Sequence, residues 1–527
     1  MTPFPHPPSK AMETISASQR TAWATHAKAL LPRLMRKRAY PISFSRVSAT
    51  SSKPLVIPFQ DDTWRRIELP VGEGLIARFP HHTVGRLRIR LGWKEDCLHA
   101  PVRLNVYLAE SEQELRSSDQ QSTGALASSW LQEETVTIDR LDEAVELPRR
   151  FAFSLVRVKV LGASAPIQIT ELLAETETSA DFEKLLPFYS PDPVWRKIDE
   201  TSVRTLAECM QSVMEDGPRR DRRLWLGDLR LQAMANAVTF RNFKLVERCL
   251  WLLASATDDS GFIPSCVFDY TPPVGACRIL DYALLLGDVL LFHAKTYHRM
   301  KIAHDLYPLA IHQLDFFREC LDDKGFFRDN GKFWLFVDWC PELNREAALQ
   351  GTFIFALRRN AELARLLDDA GQAERLEKEA RIHTASMRSL ITPEGFMPSG
   401  EQRQLSYATH IWMILADVLQ KSEAKEILSR LDEAPSCVRP VTPYLWHHYA
   451  AACRHVGETS RALRLLKSYW GGMIERGADT FWEIFKPDNP LFSPYNDVRF
   501  NSLCHSWSCT PSFFLRTDAM DSSLDEP

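Results

Sequence analysis

The sequence lacks the features that mark membrane proteins and nucleic-acid-binding proteins. No run approaches the roughly 18–20 consecutive apolar residues that a membrane-spanning helix requires. The opening residues, MTPFPHPPSKAMETIS, contain no uninterrupted apolar stretch of the kind found in signal peptides. The formal net charge of −4 provides no overall basic field, so nucleic acid is not an expected partner. These absences predict a soluble cytoplasmic protein with no membrane partner.

The cysteines form no recognisable framework. Eleven of them are scattered along the chain, with no CxxC pair and no Cys/His spacing typical of zinc sites. An odd number of thiols without a pairing pattern fits a reducing compartment better than a secreted disulfide scaffold. His410, His447 and His448 also lack carboxylates at ligand spacing. We therefore expect no metal site.

Basic residues are concentrated before Val56, where nine lysines and arginines stand against Glu13 alone. Such a segment would attract an acidic surface. The simpler interpretation is a solvated leading helix over about 15–37. Both interpretations stay open at this point.

The pattern of apolar residues divides the 527-residue chain into four parts. Residues 1–54 are an N-terminal extension with one helix, and 517–527 are a flexible tail. Between 55 and 186 the apolar period is two, as in VGRLRIRL (84–91) and FAFSLVRVKVL (151–161), which predicts an antiparallel β-sandwich. After the proline-rich linker PFYSPDPVW (187–195), residues to 516 follow helical spacing, beginning with a helix over 201–215 capped by Thr201.

A weak repeat runs through the helical part. DDSGFIPS (258–265), DDKGFFRD (322–329) and TPEGFMPS (392–399) each follow a predicted helix and contain Gly-Phe after a polar pair. A glycine in the left-handed region would end each helix, and the phenylalanine would pack back against it. Three copies at similar separations favour an array of helical hairpins, and an array of sufficient length closes into a toroid with a central opening.

Four stretches combine carboxylates with aromatic residues at predicted loop–helix junctions. They are DGPRRDRRLWLGD (216–228), LFVDWCPELNREAALQ (335–350), GADTFWEIF (477–485) and SLCHSWSCTPSFFL (502–515). Such sets are typical of carbohydrate sites, because aromatic rings stack on sugar C–H faces while carboxylates and arginine bind hydroxyls. We expect one pocket to contain the candidate substrate-binding residues, namely Arg220, Trp225, Asp228, Asp338, Trp339, Glu346, Trp482, His505 and Trp507.

The order of these stretches resembles the α-L-rhamnosidases of glycoside hydrolase family 78. The resemblance implies a mostly α fold, in which an (α/α)6 six-hairpin barrel follows an antiparallel β-sandwich. It implies that Glu483 is the general base that activates water, and that Asp216 and Asp228 contact the sugar. The implied reaction is an inverting hydrolysis of a terminal sugar from an oligosaccharide or glycoconjugate, without a cofactor.

One position departs from the family pattern. The family's general acid is commonly a glutamate directly after Arg-Asp, and this chain has Arg222 there. Because arginine stays protonated at neutral pH, it cannot donate the proton. Asp221 and then Asp216 are the alternative catalytic acids. Four neighbouring arginines would lower the pKa of either carboxyl unless they point elsewhere.

Two other functions stay compatible with the sequence. The same barrel carries polysaccharide lyases and unsaturated-uronide hydrolases, and extra arginines suit an acidic sugar. A carbohydrate-binding protein with a degenerate site would bind sugar without turnover. The pattern specifies neither the sugar nor the oligomeric state.

Overall fold

The computed structural model describes residues 15–48, 55–57, 63–93, 100–121, 124–434 and 436–522. Within these ranges no helix is long and apolar enough to cross a membrane. The strands are β1 Met35–Ala39, β2 Ser43–Val47, β3 Leu55–Ile57, β4 Gly74–Gly92, β5 Val102–Ala109, β6 Glu133–Ile138, β7 Ala144–Glu146, β8 Phe151–Gly162, β9 Gln168–Thr178, β10 Leu224–Trp225, β11 Cys266–Phe268 and β12 Val274–Ala276. The helices are α1 Ala17–Ala29, α2 Glu112–Arg116, α3 Pro193–Cys209, α4 Leu226–Ala237, α5 Phe243–Ser255, α6 Leu280–Leu284, α7 Leu286–Tyr297, α8 Met300–Arg318, α9 Glu346–Leu366, α10 Ala370–Arg388, α11 Tyr407–Leu415, α12 Lys421–Glu433, α13 Pro443–His455, α14 Thr459–Leu465, α15 Gly471–Glu475 and α16 Pro511–Ser522.

The first nine strands form one antiparallel sheet around the long strand β4. The main strand order is β1-β9-β4-β8-β5-β6, and β2 and β7 also pair with β4. The alternation that predicted strands is confirmed, because Leu87, Ile89 and Leu91 are buried while the arginines between them are half-buried. The N-terminal part is therefore an antiparallel sheet domain.

This sheet begins earlier in the chain than the sequence predicts. Strands β1 and β2 lie within the segment 1–54, for which only one helix was expected. Strand β1, with the sequence MRKRA, is an exposed edge strand that pairs with β9, so its charged residues hide the apolar alternation that marks an inner strand. The leading helix is correspondingly shorter than predicted and ends at Ala29.

The predicted start of the first helix after the linker is also wrong. Helix α3 begins at Pro193, and the side chain of Asp192 accepts a hydrogen bond from the Val194 amide at 2.8 Å. Thr201 is buried within the helix and does not cap it. Asp-Pro is a strong start signal, because proline needs no amide partner in the first turn. At the other end of the chain, α16 extends into the expected tail as far as Ser522, and residues 523–527 lie outside the described residues.

The helices after Asp192 pack in six successive pairs. The pairs are α4 with α5, α7 with α8, α9 with α10, α11 with α12, α13 with α14, and α16 with α3. The first members also contact one another in the order α4, α7, α9, α11 and α13, and the short segment 506–508 contacts both α13 and α4. The start of the helical part and its end therefore lie side by side.

The three Gly-Phe stretches form the same tight turn. Gly261, Gly325 and Gly395 have φ values of 80°, 79° and 85°, which confirms the left-handed conformation. In the first turn the Asp258 amide donates to the Phe262 carbonyl, and the other two repeat this bond. Each turn begins a few residues after its helix ends, so glycine shapes the connection and does not cap the helix.

A buried ion pair joins the sheet domain to the helical domain. The Arg219 guanidinium donates to both carboxylate oxygens of Glu114 and to the Arg499 carbonyl at 2.7 Å. Glu110, at the end of β5, lies 3.5 Å from Arg219 and accepts the amide proton of Leu503 at 2.7 Å. These contacts fix the stretches 216–228 and 502–515 against the same strand end.

We expect Arg219→Met to destabilise the fold by about 3–5 kcal/mol, because the change leaves the buried Glu114 carboxylate without its cation. Adding Glu114→Gln should recover part of that loss. Denaturant unfolding at neutral pH measures both effects. Arg116→Met, which removes an exposed cation of α2, is the control with a loss below about 1 kcal/mol. Equal losses for the two single variants would contradict a structural role for the buried pair.

Candidate active site

A cavity lies where the beginning and the end of the helical domain meet. It encloses about 340 Å³ of empty space. Eight of the sequence-predicted site residues lie on it, namely Asp216, Asp221, Trp225, Asp228, Trp339, Glu483, His505 and Trp507. Five further residues complete the lining, namely Ile279, Tyr282, Trp334, Phe336 and Tyr495. Four carboxylates and several aromatic rings thus face one small space.

The stretch 216–228 folds back on itself before α4 begins. Asp216 closes the loop, since its amide donates to the Arg223 carbonyl at 2.9 Å and its Oδ1 accepts the Arg223 amide proton at 3.1 Å. Leu224 and Trp225 then pair with β11, and α4 starts at Leu226. This path brings Asp216, the loop residue Asp221 and the first-turn residue Asp228 to the same cavity.

The four arginines of this stretch point in different directions. Arg219 reaches the sheet domain, and Arg222 donates to the carbonyl oxygen of Arg219. The Arg223 guanidinium lies over the Phe268 ring at 4.3 Å. Arg220 alone among the four turns toward the carboxylates of the cavity. The expected crowding of arginines around the carboxylates therefore does not occur.

Glu483 is held by three hydrogen-bond donors. Its Oε1 accepts from Arg220 at 2.8 Å and from the Tyr495 hydroxyl at 2.6 Å, and its Oε2 accepts from the Ser502 amide at 3.0 Å. The Trp507 indole donates to the Glu483 carbonyl at 2.9 Å. Side chain and backbone are both fixed, so the carboxylate has one orientation in the cavity.

Two of the aspartates favour the protonated form. Burial raises the pKa of Asp216 well above its usual value, and the charges of Asp221 and Asp228 add to this effect. Burial also raises the pKa of Asp228, with further contributions from Asp221 and Glu483. Burial and like charge act in the same direction here, so ionisation of one carboxyl opposes ionisation of its neighbours.

His505 and Trp507 form one wall of the cavity. Their ring centroids are 4.1 Å apart. The His505 Nδ1 lies 3.7 Å from Oδ1 of Asp228, too long for a hydrogen bond. Burial, together with the charge of Arg220, lowers the pKa of His505 to about 3. The imidazole is therefore neutral at physiological pH and can accept or donate a hydrogen bond to a sugar hydroxyl.

Three predicted site residues do not line this cavity. Asp338 is buried and accepts hydrogen bonds from Val441 and Thr442, so it anchors the start of α13. Glu346 begins α9 and pairs with Arg328 at 3.3 Å. The Trp482 ring packs against Phe485. Each of these side chains has a structural partner nearby. The sequence pattern alone does not distinguish such a structural residue from one that binds a sugar.

A fourth predicted binding residue, Arg220, also lies behind the cavity lining. Its guanidinium touches Glu483 and lies over the Tyr495 ring at 4.4 Å. It therefore positions the Glu483 carboxylate, and its guanidinium group is not free to bind a sugar hydroxyl.

The sequence analysis did not select Tyr282, Trp334, Phe336 or Tyr495. Gly227 is a sequence signal that a bulky group packs against the start of α4. A Cβ at this position would come within 2.4 Å of the Tyr282 ring. Tyr495 lies in the proline-rich loop after the Glu483 stretch, where no periodicity marks its position. Its hydrogen bond to Glu483 emerges only when that loop folds back.

One group outside the cavity has the spacing of metal ligands. His82, Glu208 and Cys504 bring their ligand atoms within 4.8 Å of one another. Both ring nitrogens of His82 already contact carboxylates, Glu110 at 2.8 Å and Glu208. Burial alone would lower the pKa of His82, but these carboxylates raise it well above its usual value. An imidazolium has no lone pair for a metal ion, so this group is an ion-pair network.

The paired helices and the carboxylate-lined aromatic cavity define a glycoside hydrolase of the six-hairpin class. Residues 59–176 match the glycosyl hydrolase family 78 alpha-rhamnosidase N-terminal domain, and residues 184–518 match the bacterial alpha-L-rhamnosidase 6 hairpin glycosidase domain. The chain belongs to the family 78 α-L-rhamnosidases.

Solved structures agree with this membership. A rhamnosidase from Klebsiella oxytoca with rhamnose bound is 36% identical, with a TM-score of 0.90 over 95% of this chain and 99% of that one. A family 78 rhamnosidase from Bacillus sp. GL1, 20% identical, has a TM-score of 0.75 over 89% of this chain and 49% of that one, and supports the fold alone. No curated protein sequence matches the chain.

The low pKa of His505 predicts that its ring does not titrate between pH 5 and 8. In protein labelled with ¹³C-histidine, we expect its ring resonance, assigned by its loss in His505→Gln, to stay constant across that range. His312 is the internal comparison, because its pKa lies above the usual histidine value. A His505 midpoint near 6.5 would contradict the burial of this ring.

Proposed function

We propose that the protein hydrolyses α-L-rhamnosides and releases terminal rhamnose with inversion of the anomeric centre. The observation that carries this proposal is the meeting of Glu483 with three aspartates on one aromatic-lined cavity. The rhamnose in the Klebsiella oxytoca rhamnosidase supports the choice of sugar. No cofactor is required, because acid and base groups suffice for glycoside hydrolysis.

Glu483 serves as the general base in this proposal. Its carboxylate removes a proton from a water molecule as that water attacks the anomeric carbon. Arg220, Tyr495 and the Ser502 amide hold the carboxylate, so the base keeps its position during the attack. On the opposite face the bond between the anomeric carbon and the leaving oxygen breaks, and that oxygen receives a proton.

Asp221 is the preferred proton donor, and Asp216 is the second candidate. Asp221 lines the cavity and is the more exposed of the two, with 18% of its side chain accessible, and its Oδ1 accepts a hydrogen bond from Arg220 at 3.3 Å. Asp216 is more deeply buried, and its Oδ1 already accepts the Arg223 amide proton. Asp216 and Asp228 are better suited to bind sugar hydroxyls, and their raised pKa lets each act as a hydrogen-bond donor.

Aromatic residues provide the apolar walls of the proposed sugar site. Trp225 and Trp339 line the cavity, and each lies near the Trp334 ring, at 6.5 Å and 6.0 Å between centroids. Such rings contact the C–H faces and the methyl group of a deoxysugar, while carboxylates bind its hydroxyls. This arrangement suits a sugar with one apolar edge.

We propose that the six helix pairs close into an (α/α)6 barrel over about 187–516, and that the sheet domain is a β-sandwich over about 55–186 with β1 and β2 added. The contact of segment 506–508 with both α13 and α4 supports the closure. Ten cysteines without a disulfide in the described residues support a cytoplasmic location.

An acidic sugar is the weaker alternative for this cavity. The extra arginines of the stretch 216–228 suggested an acidic sugar. Within the described part of the chain, however, no arginine lines the cavity. Arg220 is already paired with Glu483. A carboxylated sugar would therefore meet four carboxylates without a free cation.

The first test is a screen of purified protein against nitrophenyl glycosides. We expect turnover of the α-L-rhamnoside and at least about 100-fold lower kcat/KM for α- and β-D-glucosides, because hydroxyl recognition discriminates strongly. Proton NMR should detect the β-anomer first, as inversion requires. Comparable turnover of a nitrophenyl uronide would overturn the choice of sugar.

The second test separates the base from the acid. Glu483→Gln should abolish turnover of both an activated nitrophenyl rhamnoside and an unactivated rhamnosyl disaccharide, since both need water activation. Asp221→Asn should reduce kcat on the disaccharide by about 10²–10⁴-fold and spare the nitrophenyl substrate, whose leaving group departs without protonation. Asp216→Asn is assayed on the same two substrates, and the same selective loss of kcat on the disaccharide would identify Asp216 as the proton donor. Full activity of both aspartate variants on the disaccharide would place the acid outside this stretch.

A further inference from the structure

A second concave surface lies on the boundary between the sheet domain and the helical domain. We call it the basic cleft; it is lined by residues 32–36 at the start of β1, by Ser179, Asp181 and Lys184 after β9, and by residues 240–244 between α4 and α5. It is open to solvent and has a volume of about 930 Å³. The cleft can therefore hold more than one sugar ring.

The cleft concentrates positive charge on a protein whose net charge is −4. Five cations line it, namely Arg33, Arg36, Lys184, Arg241 and Lys244, against the single acid Asp181. Asp181 pairs with Lys184 at 2.8 Å, and Arg36 lies 3.5 Å from Glu177. The other three cations have no ion pair within the residues that the structure describes. Like charges gathered without counterions repel one another, and a bound anion would relieve this repulsion.

A buried polar group also points to a ligand. Ser179 is 6% exposed and lines the cleft, yet its hydroxyl has no hydrogen-bond partner within the described residues. Buried hydroxyls are nearly always satisfied by protein or by another bound group. The first turn of the 13-residue helix α5 begins at the same wall, where the helix dipole favours an anion.

The basic cleft is separate from the catalytic cavity. Helix α4 begins at the cavity with Asp228 in its first turn and ends at Ala237, just before the cleft residues 240–244. A 12-residue helix is about 18 Å long. One sugar ring cannot span that distance, so a ligand in the cleft is bound independently of the scissile bond.

We propose that the basic cleft binds the carboxylate or phosphate groups of an anionic saccharide. Guanidinium groups pair with these anions in bidentate geometry, the Ser179 hydroxyl adds a neutral donor, and the half-buried Phe243 ring offers an apolar contact for a sugar face. The choice of a saccharide rests on the carbohydrate substrate proposed above. The basic residues before Val56 thereby acquire a role, since two of them line the cleft.

The experiment is calorimetric titration of the full-length protein with three probes at low ionic strength. The three probes are trigalacturonate, which carries carboxylates, glucose 6-phosphate, which carries a phosphate, and maltotriose, which is the neutral control. The cleft variant combines Arg33→Gln, Arg241→Gln and Lys244→Gln. The matched control combines Arg375→Gln, Lys378→Gln and Arg381→Gln, three exposed cations on α10 that form no ion pair in the described part of the chain.

We expect wild type to bind at least one anionic probe and not maltotriose, with an affinity that falls as salt is added. The cleft variant should bind that probe about tenfold or more weakly, and the control should change it by less than about twofold. Binding of trigalacturonate alone identifies a uronate ligand, and binding of the phosphate alone identifies a sugar phosphate. Absence of anion binding, or equal weakening in both variants, overturns the proposal.

Hydrolysis of nitrophenyl rhamnoside in parallel keeps the two proposals distinct. Both triple variants should retain wild-type hydrolysis, which also shows that they fold. Should the cleft variant fail to fold, Lys244→Gln alone provides the comparison. A protein that binds the anion but cleaves no rhamnoside refutes only the proposed function, whereas a protein that cleaves it without binding anions refutes only the cleft.

Discussion

The buried pairing of Arg219 with Glu114 and Glu110 is the interaction on which the catalytic geometry depends. It holds residues 216–228 against the end of β5, while the next residue, Arg220, turns the opposite way to reach Glu483. Two adjacent guanidinium groups therefore connect the sheet domain on one side with Glu483 on the other. The sheet domain thus supports the cavity, although none of its described residues line it.

The same arrangement sets the protonation of the cavity. Four carboxylates share one nearby cation, Arg220, because the other three arginines of the stretch are turned away from them. Burial and mutual repulsion then raise the pKa of Asp216 and Asp228, while three hydrogen-bond donors hold the Glu483 carboxylate in place. The carboxylates of one small space therefore have different immediate surroundings.

Sequence periodicity predicted the elements whose burial alternates regularly, such as the strands around Leu87 and Phe153. The Gly-Phe turns were predictable because only glycine adopts their left-handed conformation at low cost. The edge strand β1 was missed, since charged edge residues carry no apolar pattern. The role of Asp338 was misjudged because a carboxylate that anchors a helix start and one that binds a sugar look alike in sequence. Tyr495 was missed because no periodicity marks its loop. The directions of Arg219 and Arg220 depend on partners more than 100 residues away, Glu114 and Glu483.

The contact between Glu110 and the Leu503 amide spans 393 residues of chain. The Arg220–Glu483 pair spans 263 residues, and the Ser506 amide donates to the Asp216 carbonyl across a similar separation. Closing such long loops costs entropy and slows folding, so these contacts form late. During synthesis, Asp216 meets this partner only after Ser506 has left the ribosome. The cavity therefore forms only after its last lining residue, Trp507, has been synthesised.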